Sequence, residues 1–541
     1  AVFLASAVAG SWVVYDPALS QRTLIVLVGM VVIYLFISRV ARTERRWDSF
    51  AAVLVGISAL MSLYFVTQAG HIHYDEKVEA ISKLVRWISS FFPTAVFWRP
   101  VTNSLATFLE GSLFLAFGLA LMQKHRTRQI AGWAAVGIIA VALLLASSRG
   151  AWLAVLATAL FWAAIHWKYV RWLAFLAASS MVGLVFFVLI RGDLNVLLEI
   201  PVVGSLAGAL FIRPDRLEVY RQSLALLAEQ PFTGVGLGDA FSLVYSRYEL
   251  LLAVPFLGYS HNLLLEVWLQ QGIIGAAAFI WLVASLYDNI LLRYNAFKSD
   301  IRLQASTAGL TVTLLHGLSD ARQYPSLWTW LPFFFLLGLC AAILFKKQPQ
   351  SLRSGWLLPG GITATLLLLV LIISWPPQVA WDANQAALLQ TRADLNGALS
   401  SGQRSAMRIE SEALFRRALK TDPDSVQINR RFGLLLLEED RFEEAIPHLE
   451  IAYRNAPRHL AARKGLGLAY LWNGEMGKAA VLLADLPDIT EELQGLAWQE
   501  YIDFHHHQTA LYTYQLLDRL QPGQPSNQEM IHILQEKLKA P

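Results

Sequence analysis

Residues 260–275 have the sequence SHNLLLEVWLQQGIIG, in which a polar start is followed at once by an apolar run with helical spacing. At 3.6 residues per turn, one stripe of the predicted helix carries His261, Leu265, Trp268, Gly272 and Gly275. The two glycines remove side chains from this stripe, so a second helix backbone can approach it closely, as small residues allow in membranes. The stretch therefore predicts a membrane helix that holds His261 at the membrane surface.

The composition of the whole chain indicates a membrane protein. Of its 541 residues, 55% are hydrophobic and only 16% are charged, against about 25% in ordinary soluble domains. Apolar runs long enough to span a bilayer as helices lie near residues 1–15, 23–40, 49–67, 104–122, 130–147, 150–166, 172–190, 261–285, 305–318, 327–345 and 356–375. We therefore expect an all-α, polytopic membrane helical bundle of about 11–12 transmembrane helices.

The chain opens inside an apolar run, from Ala1 to Val14. This run has no basic segment before it and no convincing cleavage site, so it does not resemble a signal peptide. We expect further residues to precede Ala1 in the complete protein.

The basic residues indicate how the bundle is oriented. They cluster in every second loop, at residues 39–46, 124–128, 168–171, 293–302 and 346–353. By the positive-inside rule these loops are cytoplasmic, and the other loops face outward together with everything after residue 375. Because the net charge is only +4 and the basic residues lie in short loops, they report orientation and not nucleic-acid binding.

Two outward segments are large. Residues 191–260 form a long loop in which Leu217, Tyr220, Leu224 and Leu227 repeat at helical spacing. The tail is charged and helical, and Pro423 and Pro457 are 34 residues apart in it, as are Ala445 and Ala479. That period is typical of tetratricopeptide repeats. We expect a transmembrane domain over 1–375, with the outer loop 191–260, and a soluble, tetratricopeptide-like α-solenoid over 376–541.

His261 is the first candidate for chemistry. A helix N-terminus disfavours the charged imidazolium, so the ring is predicted to be neutral and available as a base. The same terminus offers N–H groups to an anion such as phosphate. The alternative is an interfacial histidine that is hydrogen-bonded to water or to a carbonyl.

Arginines on the outer side are the second group of candidates. Arg149 lies in a tight turn between two spans, against the positive-inside bias, and Arg216 and Arg221 lie at the start of the loop helix. One guanidinium group can bind two phosphate oxygens at once, so a set of arginines suits a diphosphate. The alternatives are a snorkelling arginine at 149 and a solvated helix face at 216 and 221.

Other outer residues are predicted to support the same site. The glycine run at 234–238 follows no βαβ pattern, so we interpret it as a flexible element or a tight turn beside the histidine and not as a nucleotide-binding loop. Asp320, Arg322 and Tyr324 form a short outer turn that could line the same cavity. No carboxylate cluster has metal-site spacing, which favours a metal-independent mechanism. The one cysteine, Cys340, excludes a disulfide framework.

Taken in order, these motifs resemble the O-antigen ligase and polymerase superfamily of bacterial membrane glycosyltransferases. His261 and Asn262, followed by Gly272 and Gly275, are similar to its outer-loop signature. The resemblance extends over about residues 90–345. Its other motifs are a predicted span that begins with Asn103, the Ser148-Arg149-Gly150 turn, and Arg216 and Tyr220 followed by residues 231–236. Tyr220 stands where tryptophan is common in the family.

The resemblance implies a GT-C-like enzyme of the bacterial inner membrane that takes a glycan from undecaprenyl (polyprenyl) diphosphate. His261 would activate an acceptor hydroxyl on the outer face, and Arg149 and Arg216, with Arg221 as the next choice, would hold the diphosphate. Direct attack would invert the anomeric centre, and no metal or cofactor would be required.

The acceptor stays open at this point. Ligases use lipid A–core, polymerases use another lipid-linked glycan, and a third branch glycosylates proteins. The one large outer loop favours a ligase, while the repeat tail suits a protein partner or acceptor. The competing class is a flippase or an assembly scaffold, but transporters usually show internal repeats and midplane ionisable residues, which this sequence lacks.

Overall fold

The computed structural model describes residues 1–72, 79–172, 176, 214–345 and 377–539, and every regular element in these residues is helical. The predicted all-α class is therefore confirmed. Up to residue 345 the described helices are α1 (Val2–Val13), α2 (Ala18–Val40), α3 (Glu44–Gln68), α4 (Glu79–Ser89), α5 (Thr102–Met122), α6 (Arg126–Leu145), α7 (Arg149–His166), α8 (Pro214–Glu229), α9 (Ala240–Tyr245), α10 (Leu263–Leu292), α11 (Tyr294–Ser299), α12 (Ile301–Gly317) and α13 (Trp330–Leu344).

Within the described part of the chain, seven helical segments are long and apolar enough to cross a membrane. They contain α2, α3, α5, α6, α7, α10 and α13, whereas α1 and α12 coincide with predicted spans but are shorter. The predicted spans at 172–190 and 356–375 fall almost wholly outside the described residues. The chain is thus a multi-pass membrane protein.

Helix α5 lies at the centre of the bundle and contacts α3, α6, α7, α12 and α13. Its glycines bring it close to α12, since a Cβ at Gly111 would lie 3.1 Å from the carbonyl oxygen of Gly309 and one at Gly118 would lie 2.5 Å from Ala305 Cβ. Small residues at a membrane interface allow such close packing. The contact fixes the first turn of α5 against the last turn of α12.

Helix α10 is broken at Gly272, where φ is 68° and ψ is −175°. The continuous stripe predicted from His261 to Gly275 is therefore wrong, because His261 precedes the helix and Gly272 interrupts it. A second helix was expected to pack against Gly272, but its close neighbour is the turn at Phe232. A Cβ added at Gly272 would lie 2.1 Å from the carbonyl oxygen of Phe232. Gly275 does face a helix, with its Cβ position 3.2 Å from Ser6 Oγ on α1.

Substitution of Gly272 by alanine should destabilise the protein by at least about 1–3 kcal/mol, from backbone strain alone, with the clash against Phe232 added. Gly137 is the matched control because it lies in α6 with open space around its Cβ position. Thermal unfolding in detergent measures both variants. Equal melting temperatures for the two would contradict the break at Gly272.

The outer segment and the tail share one hydrophobic core, separate from the core of the bundle. Leu226 of α8 and Phe241 of α9 belong to it together with Phe415 and Phe432 of the tail. The tail helices are α14 (Pro377–Leu395), α15 (Ser401–Thr421), α16 (Val426–Glu438), α17 (Phe442–Asn455), α18 (Leu460–Trp472), α19 (Met476–Leu483), α20 (Ile489–Ile502), α21 (His507–Leu520) and α22 (Pro525–Lys539).

The tail shows the expected repeat in its packing. A Cβ at Gly433 would lie 2.6 Å from Leu449, and one at Gly467 would lie 2.6 Å from Leu483. Gly467 follows Gly433 by 34 residues, and Leu483 follows Leu449 by the same repeat period. The predicted helical repeats are therefore present.

Candidate active site

The candidate site lies at one end of the bundle, where several chain segments meet. The first turns of α5, α7 and α10 reach this end together with the last turn of α12 and the loop that follows it. Helix α8 lies against the same loop, because Arg216 Nη1 donates a 2.7 Å hydrogen bond to the carbonyl oxygen of Ser319. The predicted residues His261, Asn262, Arg149, Arg216, Tyr220 and Asn103 are all found in this region.

His261 lies just before α10, in the left-handed backbone region with φ 58°. Asn262 caps the helix, since its Oδ1 accepts hydrogen bonds from the N–H groups of Leu264 and Leu265 at 3.0 and 3.1 Å. Its Nδ2 donates to the carbonyl oxygen of Leu318 at 3.0 Å. The cap therefore holds the histidine beside the loop that follows α12.

The His261 side chain is paired with a carboxylate. Its Nδ1 lies 3.1 Å from Asp320 Oδ1, and the ring centroid lies 4.2 Å from that of Tyr259. A proton on Nδ1 would be shared with the carboxylate and would leave the lone pair of the neutral ring on Nε2. The pair has the composition of a general base with its orienting carboxylate.

Asp320 is buried and is surrounded by donors. Tyr259 donates to its Oδ1 at 2.8 Å, Asn103 donates to its Oδ2, and Arg322 Nε lies 3.4 Å from Oδ1. Burial on its own would raise the pKa of Asp320, but Arg322, the hydrogen bond from His261, and the charges of His316 and Arg216 hold it well below its usual range. Asp320 is therefore ionised at neutral pH.

Helix α8 presents one face to this site. Arg216 Nη2 lies 3.8 Å from Asp320 Oδ2, and the hydroxyl of Tyr220, one turn further along, lies 3.3 Å from the carbonyl oxygen of His261. Residues four apart share a helix face, whereas the next position points elsewhere. Arg221 accordingly pairs with Glu218 at 3.0 Å and lines a cleft against residues 456–460.

The turn that carries Arg149 packs against the same loop. Ser148 Oγ lies 3.4 Å from His316 Nε2, and a Cβ at Gly150 would lie 2.8 Å from Ser319 Oγ. Arg149 is the first residue of α7 and is half-buried. The other ring nitrogen of His316, Nδ1, lies 2.8 Å from the buried Glu110.

The glycine run is joined to the site through α10. Gly234, Gly236 and Gly238 all have positive φ, at 64°, 108° and 95°, which confirms the predicted tight turn. Gln270 Nε2 donates to the Gly238 carbonyl oxygen at 2.9 Å and to Glu266 at 3.0 Å. Glu266 in turn accepts hydrogen bonds from the N–H and hydroxyl of Ser260, the residue before His261.

Sequence reasoning missed the roles of two residues. Asp320 was expected only to line the cavity, and Tyr259 was not singled out. An acidic residue in an outer loop next to Arg322 was a signal for Asp320, since buried carboxylates need paired charges. Tyr259 had no signal beyond its place two residues before His261.

This arrangement places an imidazole, His261, and a guanidinium, Arg216, around one buried carboxylate, Asp320. Among the described residues, no group of three or more His, Cys, Asp or Glu side chains is placed to hold a metal ion. The chemistry best matched by these groups is attack by a hydroxyl with departure of an anionic group.

Two parts of the chain match known protein families. Residues 134–280 match the O-antigen ligase family, and residues 436–496 match the tetratricopeptide repeat. The first match contains His261, Arg149 and Arg216 but not Asp320. The chain is 25% identical over 375 residues to the "General O-oligosaccharyltransferase" of Acinetobacter baylyi, an alignment that covers 65% of this chain and 60% of that protein. The resemblance inferred from the motifs is confirmed.

Proposed function

We propose that this protein transfers an oligosaccharide from a polyprenyl diphosphate to an acceptor hydroxyl at the outer face of the bacterial inner membrane. The observation that carries the proposal is the His261–Asp320 pair beside Arg216, in a chain that matches the O-antigen ligase family. The positive-inside pattern supports placing this end of the bundle, and the repeat helices, outside the cytoplasm.

The proposed reaction is one displacement. The acceptor oxygen attacks the anomeric carbon while His261 Nε2 takes the hydroxyl proton, and the bond from that carbon to the diphosphate oxygen breaks. The diphosphate leaves with the bonding electrons, and Arg216 and Arg149 stabilise its charge. Attack opposite to the leaving group inverts the anomeric centre. Asp320 keeps its proton state throughout and orients His261.

The relative named as a general O-oligosaccharyltransferase supports transfer of an oligosaccharide to an oxygen atom. Its name does not distinguish lipid A–core, which the single outer loop suggested, from the other acceptors. Lipid A–core, a second lipid-linked glycan and a serine- or threonine-containing polypeptide differ only in the molecule that carries the hydroxyl. We therefore propose the transfer itself as the function and treat the acceptor as the outcome of the assay.

The assay combines purified protein in detergent, a polyprenyl-diphosphate glycan, EDTA and each acceptor class in separate reactions. Release of polyprenyl diphosphate together with a larger acceptor would support the proposal, and the acceptor that grows would identify the branch. Absence of transfer with every acceptor, combined with movement of the lipid-linked glycan between leaflets of a vesicle, would favour a flippase and overturn the proposal.

The two arginines of α8 should differ in their effect on this reaction. Removal of the Arg216 side chain by Arg216→Ala should lower kcat/KM for the donor about 10²-fold or more, because a charge beside the leaving group is lost. Arg221→Ala should change it less than about threefold, since Arg221 pairs with Glu218 and surface pairs contribute little. Initial rates at varied donor concentration measure both variants. Equal losses would contradict the assignment of Arg216.

A further inference from the structure

Two consecutive arginines of the repeat tail are buried against the outer segment. Arg430 and Arg431 of α16 are each 1% exposed. Arg430 bonds Glu229 at the end of α8 and lies 2.8 Å from Glu249, and Arg431 lies 3.4 Å from Glu229. We call Arg430, Arg431, Glu229 and Glu249 the Arg430 network. It joins the tail to the outer segment through ionisable groups that are almost fully buried.

The tail also holds the backbone of the turn after α9. Arg430 donates to the carbonyl oxygen of Tyr248, and Lys464 Nζ of α18 lies 2.9 Å from that of Leu250. The Tyr248 hydroxyl donates to Asp394 of α14 at 2.9 Å, and the guanidinium of Arg431 lies 3.4 Å from the centre of the Tyr248 ring. Helices α14, α16 and α18 thus contact the same turn, which spans Ser246–Leu250.

Both elements held in this way lead into the candidate site. Helix α8 is bound by the tail at Glu229 and contacts the site through Arg216 and Tyr220. The turn at Ser246–Leu250 is followed by residues 251–258, which lead to Tyr259 and His261. The tail therefore contacts the helix that carries Arg216, the proposed diphosphate-binding residue, and the turn from which the chain runs to His261, the proposed base.

We propose that the repeat tail positions the catalytic segments, and that Arg430 is the positioning residue that ties α8 and the turn before His261 to the tail. This inference rests on the proposed function for its effect on transfer, but its structural part does not. Burial raises the pKa of Glu229 and Glu249, and Arg430 opposes that effect. Removal of Arg430 leaves two buried carboxylates without their main partner, which favours separation of α8 from the tail.

Hydrogen–deuterium exchange of the full-length protein tests the structural part. In Arg430→Gln, amides of residues 214–229 should exchange about tenfold faster or more than in wild type, because local opening becomes easier. Arg441→Gln is the matched control, since Arg441 forms its ion pairs with carboxylates of the tail itself, Glu412, Glu439 and Glu444. Unchanged exchange at 214–229 in Arg430→Gln, or equal acceleration in Arg441→Gln, would overturn the proposal.

A second pair of variants separates positioning from general loss of folding. Arg430→Lys keeps the charge but loses the fork that reaches three partners at once, so it should accelerate exchange at 214–229 while residues 442–502 stay protected. Replacing Glu249 and Arg430 together by glutamine should give slower exchange than Arg430→Gln alone, because one buried carboxylate is removed with its partner while Glu229 keeps Arg431 at 3.4 Å. Exchange in this double variant as fast as in Arg430→Gln would contradict the role of the Arg430 network.

Kinetics then link the contact to transfer. Arg430→Lys should raise the donor KM about tenfold, since Arg216 shifts with α8, and should change kcat less, because the hydrogen bonds from Tyr259 to Asp320 and from Asn262 to Leu318 also hold the His261–Asp320 pair. An unchanged KM with accelerated exchange would reject the catalytic consequence. If wild type transfers nothing, the proposed function fails, and the exchange experiment still decides whether the tail holds α8.

Discussion

Replacement of His261 should lower the rate of glycan transfer about 10²–10⁴-fold while the lipid-linked donor still binds. The expected loss follows from the proposed role of the ring, which accepts the proton of the attacking hydroxyl. The backbone at His261 has φ 58°, so alanine there would add strain of its own. His261→Asn is therefore the better variant, because asparagine tolerates the left-handed region and removes the base.

The measurement is kcat at saturating donor and acceptor, with donor affinity determined separately on the same preparations. His532→Asn is the matched control, since His532 is exposed on α22. A His261→Asn variant with normal kcat would show that the histidine is interfacial and not catalytic. Loss of donor affinity without loss of kcat would assign His261 to anion binding at the start of α10.

The helices were predictable because each follows from local chemistry. Apolar runs such as 104–122 must form helices to satisfy their backbone in lipid, and α5 occupies Thr102–Met122. The cap at Asn262 was also a local signal, since asparagine before an apolar run is a preferred N-cap. The motif that contains His261, Arg149 and Arg216 could be recognised for the same reason, as each part is a short contiguous stretch.

The remaining features depend on contacts between distant segments. The break at Gly272 follows from the approach of Phe232, which is 40 residues earlier in the chain. The link from Arg430 to Glu229 joins residues 201 apart. Spacing along a helix separates Arg216 from Arg221, but only the packed loop shows which of them faces His261. Periodicity carries no information on such pairings.

Asp320 is the clearest case, because its sequence neighbours indicated only that it could line the cavity, whereas its contacts place it at the centre of the site. Substitution by asparagine keeps its size and removes its charge. We expect Asp320→Asn to lower kcat about 10²–10⁴-fold, because the ring of His261 loses the carboxylate that fixes its tautomer and stabilises its charged form. Asp382→Asn is the matched control, since Asp382 is also buried and paired with one arginine, Arg417, outside the site.

A pH profile separates this positioning role from a purely structural one. The pKa of Asp320 is held well below its usual range, so the carboxylate stays ionised through neutral and mildly acidic pH. Its contribution to stability is present above the unfolded pKa of about 3.9 and is lost only as pH falls through the lower folded value. The loss of kcat in Asp320→Asn should therefore persist on the plateau of the pH profile, where kcat no longer changes with pH. Equal plateau values for the two proteins would mean that no ionised carboxylate orients His261, and the assignment of Asp320 as its partner would be wrong.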